Sequence, residues 1–296
     1  MLNYSNPSAN SYRHFQTGAT AEFERRPFLA NVRIDHGPMD LLSQFFIAAD
    51  AAYAALELDL MFANFEDLAG VNVANRTSWK PLNPTFVPAH GLVTADRAFA
   101  LFGVDKAGNV LSAIGGVLFD WSDTSLSEEA ASLRFLFNQP ASMAPAGATC
   151  RISAPSTALI RGRAAYSGAH WVHPNLRKRN LAAVNSRLAR AVAFARWNFD
   201  VAFGISSLEL IRRGYSDRTG WRNIEAGVQF EGLDSCPPEA GLVWMPAHQA
   251  LEDLCVFLLG HGGAAFMQFG SPEYVHAAVD FERHDQSRIP YRNPPA

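Results

Sequence analysis

Two hydrophobic periodicities alternate along the chain, and they predict most of its elements. After Asp40, an N-cap residue type, Leu41, Phe45, Ala48, Ala52 and Leu56 recur at helical spacing towards Phe62. Residues 28–34 read as a first strand. Residues 98–104 and 110–121 are apolar runs joined by Asp105-Lys106-Ala107-Gly108-Asn109, a hairpin signal. Ser127 is expected to cap a helix containing Glu128, Glu129, Leu133 and Phe137. Residues 140–155, rich in Ala, Pro and Ser, are expected to be irregular. Residues 159–172 then form a strand, with Arg161 and Arg163 near its start. A long helix follows: Leu181, Val184, Leu188, Val192 and Ala195 share one stripe, with Arg187 and Arg190 at polar positions between them. Residues 201–206 read as a short buried strand and 208–213 as a helical turn capped by Gly214. Residues 224–230 and 241–245 are two further strands. Residues 251–259 form an apolar helix ended by Gly260-His261-Gly262-Gly263, and 274–281 add a last element.

Composition narrows the class. The 296 residues are 48% hydrophobic and 18% charged, with formal net charge −3, which fits a globular chain of one or two domains. A weakly acidic balance argues against general nucleic-acid binding, where a basic face is expected. Cys150, Cys236 and Cys255 lie far apart, so a disulfide framework or a zinc site is not expected and each reads as a buried thiol. The first residues are polar and lack a signal-peptide core, and Asp50, Glu57 and Asp59 interrupt the most apolar stretch. The expectation is a cytoplasmic protein with no membrane partner and no metal.

One local feature carries chemistry. Pro174 marks a strand exit, and Arg177, Lys178 and Arg179 crowd the start of the long helix. Cations there oppose the helix dipole, which favours negative charge at that end. Their placement makes sense if an anion binds the turn, where free backbone N–H groups and basic side chains would meet a phosphate. An ordinary amphipathic helix with a basic first turn is the plain alternative.

The spacing resembles the cofactor motif of the GCN5-related N-acetyltransferase (GNAT) superfamily. There a valine ends the fourth strand, a proline follows, and Arg/Gln-x-x-Gly-x-Gly/Ala enters a helix. Val172, Pro174, Arg177, Asn180 and Ala182 stand at the corresponding positions, with Asn180 replacing a glycine. Asn tolerates the left-handed backbone that such a turn requires. The order of elements is similar too, over roughly residues 30–248. The resemblance implies an α/β (α+β) fold with a mixed, mostly antiparallel central sheet flanked by helices. It divides the chain into a flexible tail (1–28), an acetyltransferase-like domain (29–250) and a C-terminal helical appendage (251–296), the last a candidate homodimer contact.

The activity implied is direct acyl transfer from acetyl-CoA, or another acyl-CoA, to a small-molecule or peptide amine. Backbone groups from Lys178 through Asn180 and Leu181 to Ala182 would hold the pyrophosphate, with Arg177 and Arg179 adding charge. The pantetheine arm would lie in a gap between the fourth and fifth strands, and a backbone N–H near Trp171 or Val172 would polarise the thioester. The loop of residues 72–90 would shape the acceptor site, with Trp79, Phe86 and His90 as lining candidates.

Acid and base depart from the family pattern. The strand positions that usually carry the base hold Gly168 and Tyr166, and the position of the usual tyrosine acid holds Leu210. His170 is the substitute base, sharing a strand face with Tyr166, Gly168 and Val172 by period-two alternation. Tyr166 is the substitute acid or a packing residue, and His173 points the other way. Ser207 and Glu209 border the expected thiol position but suit a helix start, and Tyr215 reads as packing. Two rivals remain: a catalytically inactive GNAT-like module binding CoA or a related anion, and an acyl-homoserine-lactone-synthase-like enzyme, whose Glu-Ser-Ser-Arg-like strand motif is missing. A serine hydrolase is rejected, since Ser167 lacks the Gly-x-Ser-x-Gly elbow.

Overall fold

The structure is a computed structural model and describes residues 25–265. Its strands are β1 (Arg26–Pro27), β2 (Leu58–Ala63), β3 (Ala98–Asp105), β4 (Val110–Trp121), β5 (Thr149–Ile152), β6 (Gly162–Val172), β7 (Val201–Ser207), β8 (Asn223–Glu231) and β9 (Glu239–Pro246). They form one sheet in the order β1-β2-β3-β4-β6-β7-β9-β8-β5, and only the β6–β7 pair is parallel. The helices are α1 (Phe28–Asn31), α2 (Met39–Ala54), α3 (Phe65–Ala74), α4 (Leu126–Ala131), α5 (Pro140–Met143), α6 (Leu181–Trp197), α7 (Leu208–Arg212), α8 (Tyr215–Arg218) and α9 (Ala247–Ala265). This is the expected mixed, mostly antiparallel sheet flanked by helices.

Each face of the sheet has its own core. On one, α2, α6 and α9 pack through Phe45, Phe46, Leu188, Val192 and Leu254. On the other, α3 and the segments around Phe86 and Phe135 cover Tyr166 and Phe203. Seven of the eight residues of β3 are buried, because that strand is covered on both faces, which is why it reads as an unbroken apolar run. The α6 helix is enclosed by the sheet, α2 and α9, and is buried nearly all round. A polar thread ties three of these elements: Tyr53 on α2 donates to Asn185 Oδ1 on α6, and Ser112 on β4 donates to the Tyr53 hydroxyl at 3.2 Å.

Several local expectations are corrected. Residues 28–31 form a helical turn rather than a strand, and the pairing with β2 precedes it at Arg26 and Pro27. The first helix ends at Ala54, since Leu58–Ala63 alternates buried and exposed side chains as a strand. Ser125, not Ser127, caps α4 by accepting from Glu128 N–H. Within the stretch read as irregular lie α5 and β5, the latter closing one sheet edge against β8. Arg187 and Arg190 face the interior. The C-terminal helix runs through the glycines to Ala265, packing on α6 and α2. The element expected at 274–281 and most of the 1–28 tail lie outside the described residues. Among the described residues, no helix is long and apolar enough to cross a membrane. The three cysteines are unpaired, with Cys150 and Cys236 buried and their thiols pushed up to about 12 by desolvation.

Candidate active site

The site is set by how two parallel strands part. β6 and β7 pair only where Ala164–Tyr166 faces Val201–Phe203. Beyond that point β6 stays with β4, while β7 stays with β9. A bulge bends β6 at the same place. Ala113 faces Trp171 and Gly115 faces Gly168, so Ala169 and His170 stand against Ile114 alone. Ala169 adopts φ +51°, uncommon for a side-chain-bearing residue. Beyond Tyr166 and Phe203 the two strands no longer pair, although Gly204 still lies beside Ser167, so the β7-facing backbone edge of residues 168–171 has no strand partner.

The bulge also re-phases the strand, and this corrects the face assignment of His170. Tyr166 and Trp171 belong to the core on the α3 side, whereas Ala165 and Val172 pack on the α6 side. His170 joins the latter, away from Tyr166. Its Nδ1 is hydrogen-bonded to the Tyr215 hydroxyl at the start of α8, and its Nε2 is buried without a partner. Loss of hydration pushes the imidazole down to about 4, so it is neutral at pH 7 rather than poised near neutrality. The Tyr215 phenol is raised by burial, a shift opposed by the charges of Arg190 and Arg218. Two further hydroxyls nearby, Ser206 on β7 and Ser216 on α8, are buried and unpartnered.

Tyr166 is core. It stacks between Phe86 at 5.1 Å and Phe203 at 5.0 Å, and burial raises its phenol far out of reach as an acid. Phe86 lies flat on the sheet because Gly115 and Gly168 leave it room: a Cβ on Gly168 would come within 2.4 Å of its ring. It thus packs rather than lining a pocket, and His90 is occupied by a 2.8 Å contact from its Nδ1 to Pro84 O. Ser207 caps α7, and Glu209 pairs with Arg213 in solvent.

Lys178 and Asn180 have φ +71° and +61°, so the backbone coils into a concavity of the kind that gathers N–H groups around an anion. Asn180 is the N-cap of α6 and makes no side-chain cap, and the first amides of a helix have no partner within it. Leu181 is buried behind them and Ala182 is half-buried. Arg177 does not point freely outwards: it donates to Val172 O at 3.4 Å and Ser78 O at 3.2 Å. Trp171 donates from Nε1 to Ser78 Oγ at 3.2 Å and stacks on Trp79 at 5.1 Å. The segment around Ser78 thereby staples the exit of β6, and a pocket of about 340 Å³ opens there, lined by Arg76, Lys80 and Arg177 among others.

What the sequence did not signal is the pairing of Tyr215 with His170. Tyr215 stands one residue past a helix-capping glycine, where an aromatic side chain usually packs. The bulge that turns His170 towards it has no marker residue, since Ala169 and His170 are ordinary strand residues.

No family model matches the sequence, and no curated protein matches it. Solved structures similar to this chain include a chimera of the spermidine N-acetyltransferase SpeG from Vibrio cholerae, at 9% identity over 66% of this chain and 98% of its own, TM-score 0.40. A dodecameric spermidine N-acetyltransferase from the same organism aligns at 8% identity over 65% of this chain and 95% of its own, TM-score 0.39. RimJ from Mycobacterium smegmatis, in complex with CoA-disulfide, aligns at 13% identity over 69% and 90%, TM-score 0.39.

Proposed function

We propose that this chain transfers an acyl group from an acyl-CoA, acetyl-CoA being the first choice, to an amine. The observation that carries this reading is the parting of β6 and β7 directly beside a basic turn. An extended arm bearing amides can hydrogen-bond the free backbone edge of residues 168–171, as another strand would. The diphosphate at its far end then meets the amides of Lys178, Asn180, Leu181 and Ala182 together with the Arg179 side chain. Orphaned polar groups at His170, Ser206 and Ser216 fit a polar ligand in the gap better than an apolar one.

In this reading His170 and Tyr215 handle the proton that must travel from amine to sulfur. The amine attacks the thioester carbon and the C–S bond breaks. His170 Nε2 takes one proton from the amine nitrogen, Nδ1 passes its own to Tyr215, and the Tyr215 hydroxyl gives its proton to the departing sulfur. One proton leaves nitrogen and one reaches sulfur, and the imidazole is left as its other tautomer, protonated on Nε2, which exchanges back before the next turnover. A weakly basic, water-excluded imidazole suits a relay that passes a proton on rather than holding it. A backbone N–H of the bulged strand serves as oxyanion donor.

Thermal unfolding with acetyl-CoA, CoA and ATP tests the site. At about 100 times Kd the stabilisation is roughly 2.7 kcal/mol, a rise of about 5–10 °C. The rise should occur with both CoA species, and replacing Arg177 and Arg179 by Ala should remove most of it. No rise at saturating ligand would overturn the assignment.

A further inference from the structure

Arg187 and Arg190, one turn apart on α6, are 7% and 1% exposed. Two buried guanidinium groups require compensation, and Asp253 on α9, 5% exposed, serves both. Its Oδ1 accepts from Arg187 Nη2 at 2.9 Å, and its Oδ2 lies 2.9 Å from Arg187 Nε and from Arg190 Nη2. Phe257 covers the face of Arg187 at 4.2 Å, and Trp221 that of Arg190 at 4.6 Å. An ion group sealed this thoroughly is weak evidence for stability alone, because apolar residues of like volume commonly serve as well.

Besides bonds within α6 to Ala183 O and Ser186 Oγ, two donor contacts leave the helix and show what the group does. Arg187 Nη1 donates to Arg218 O at 3.0 Å, and Arg190 Nη2 to Thr219 O at 2.8 Å. Those are the carbonyls at the end of the single turn that Tyr215 begins. Thr219 Oγ1 closes the turn on Tyr215 O at 2.8 Å. Gly220 follows at φ +80°, and a Cβ there would come within 2.4 Å of Asp253 Oδ2, so the chain is drawn directly against the ion group. Tyr215 reaches His170 from a backbone held in this way.

We propose that Asp253 is a positioning residue: through Arg187 and Arg190 it fixes α8 so that Tyr215 stays on His170, which makes helix α9 part of the site. This rests on the assignment of His170 and Tyr215 as the proton-handling pair.

The test reads His170 itself. The ring-nitrogen signals of ¹⁵N-histidine-labelled protein, with His170→Gln used for assignment, are followed against pH in four proteins: wild type, Asp253→Asn, Arg187→Gln and Leu254→Ala. Leu254 is buried in the same helix and, being apolar, makes no hydrogen bond or ion pair with the group. Asp253→Asn should release Tyr215 and raise the His170 titration by about one unit or more towards the ordinary histidine range. Leu254→Ala should lower stability and leave the signal in place. In turnover, Asp253→Asn should lower kcat about tenfold or more with KM for acyl-CoA changed less than about threefold. If Asp253→Asn does not fold, Arg187→Gln releases one carbonyl and keeps the Arg190–Asp253 pair, and the same comparison applies. An unshifted His170 signal, or an equal shift in Leu254→Ala, overturns the proposal whether or not the wild type is active. A shifted signal in a protein that transfers no acyl group would support the clamp and overturn the functional reading.

Discussion

Replacing His170 by Gln should flatten the acid limb of the stability profile. An unfolded histidine titrates near 6.5, and in the fold His170 is pushed down to about 4 by burial. The reason is geometric: an imidazolium has two donors, and while Nδ1 has Tyr215, Nε2 is buried without an acceptor. Between the two pKa values the unfolded chain binds the extra proton and the native chain does not. Stability from this group is therefore fully present above about pH 6.5 and is lost as the pH falls towards 4. At 1.36 kcal/mol per unit, the loss is about 3 kcal/mol.

The assay is urea unfolding of wild type and His170→Gln at several values between about pH 4 and 7. Gln keeps hydrogen-bonding capacity and does not titrate. Asp50 and Asp67 have raised pKa values, which contribute in the opposite sense, but both proteins carry them and the difference isolates His170. Wild type should lose about 3 kcal/mol more than the variant on acidification, roughly 5 °C or more in Tm for a chain of this size. Parallel profiles would mean that Nε2 is solvated or partnered, and would remove the basis for a sealed relay.

Substitutions at two positions probe the backbone of the site. Asn180→Gly relieves a left-handed conformation and should be neutral or stabilising by up to about 1 kcal/mol with CoA affinity retained, whereas Asn180→Ala should cost about 1 kcal/mol and loosen the turn, both read by denaturant unfolding and calorimetric titration. Gly168→Ala places a methyl against the Phe86 ring and should cost about 1–3 kcal/mol through overpacking; an unchanged midpoint would show that Phe86 is free to move.

How far the sequence could be read depended on whether a residue's role was set by its neighbours in the chain. The β3–β4 hairpin was legible because Asp105 itself organises the turn, its carboxylate accepting from Ala107 and Asn109 N–H. Residues 177–182 were legible for the same reason: proline, basic residues and a left-handed Asn fall within nine positions. Strand β5 was not, since four residues among prolines acquire their conformation only by pairing with β8. Nor was the face of His170, because alternation holds until a bulge interrupts it. Arg187 and Arg190 read as a polar face because their partner lies more than sixty positions away on α9.

That last misreading bears on how the site is assembled. A helix with two arginines ordinarily turns them to water, and α6 does the reverse while its first turn carries the proposed anion site. The proposed phosphate-binding end and the ion group that holds α8 are thus parts of one helix, packed against β4 and β6 and tied to α2 through Asn185. A displacement of α6 along its axis would move the amides at residue 180 and the carbonyl clamp at residue 219 together. If the turn holds a diphosphate, securing it there should also secure Tyr215 on His170, with no contact needed between ligand and clamp. By reciprocity, loosening the clamp through Gly220→Ala, whose added methyl meets Asp253 and Arg187 within 2.5 Å, should weaken CoA binding modestly, by about threefold to tenfold in a calorimetric titration. Full affinity in a folded Gly220→Ala protein with a displaced Tyr215 would show that the two ends of α6 act independently.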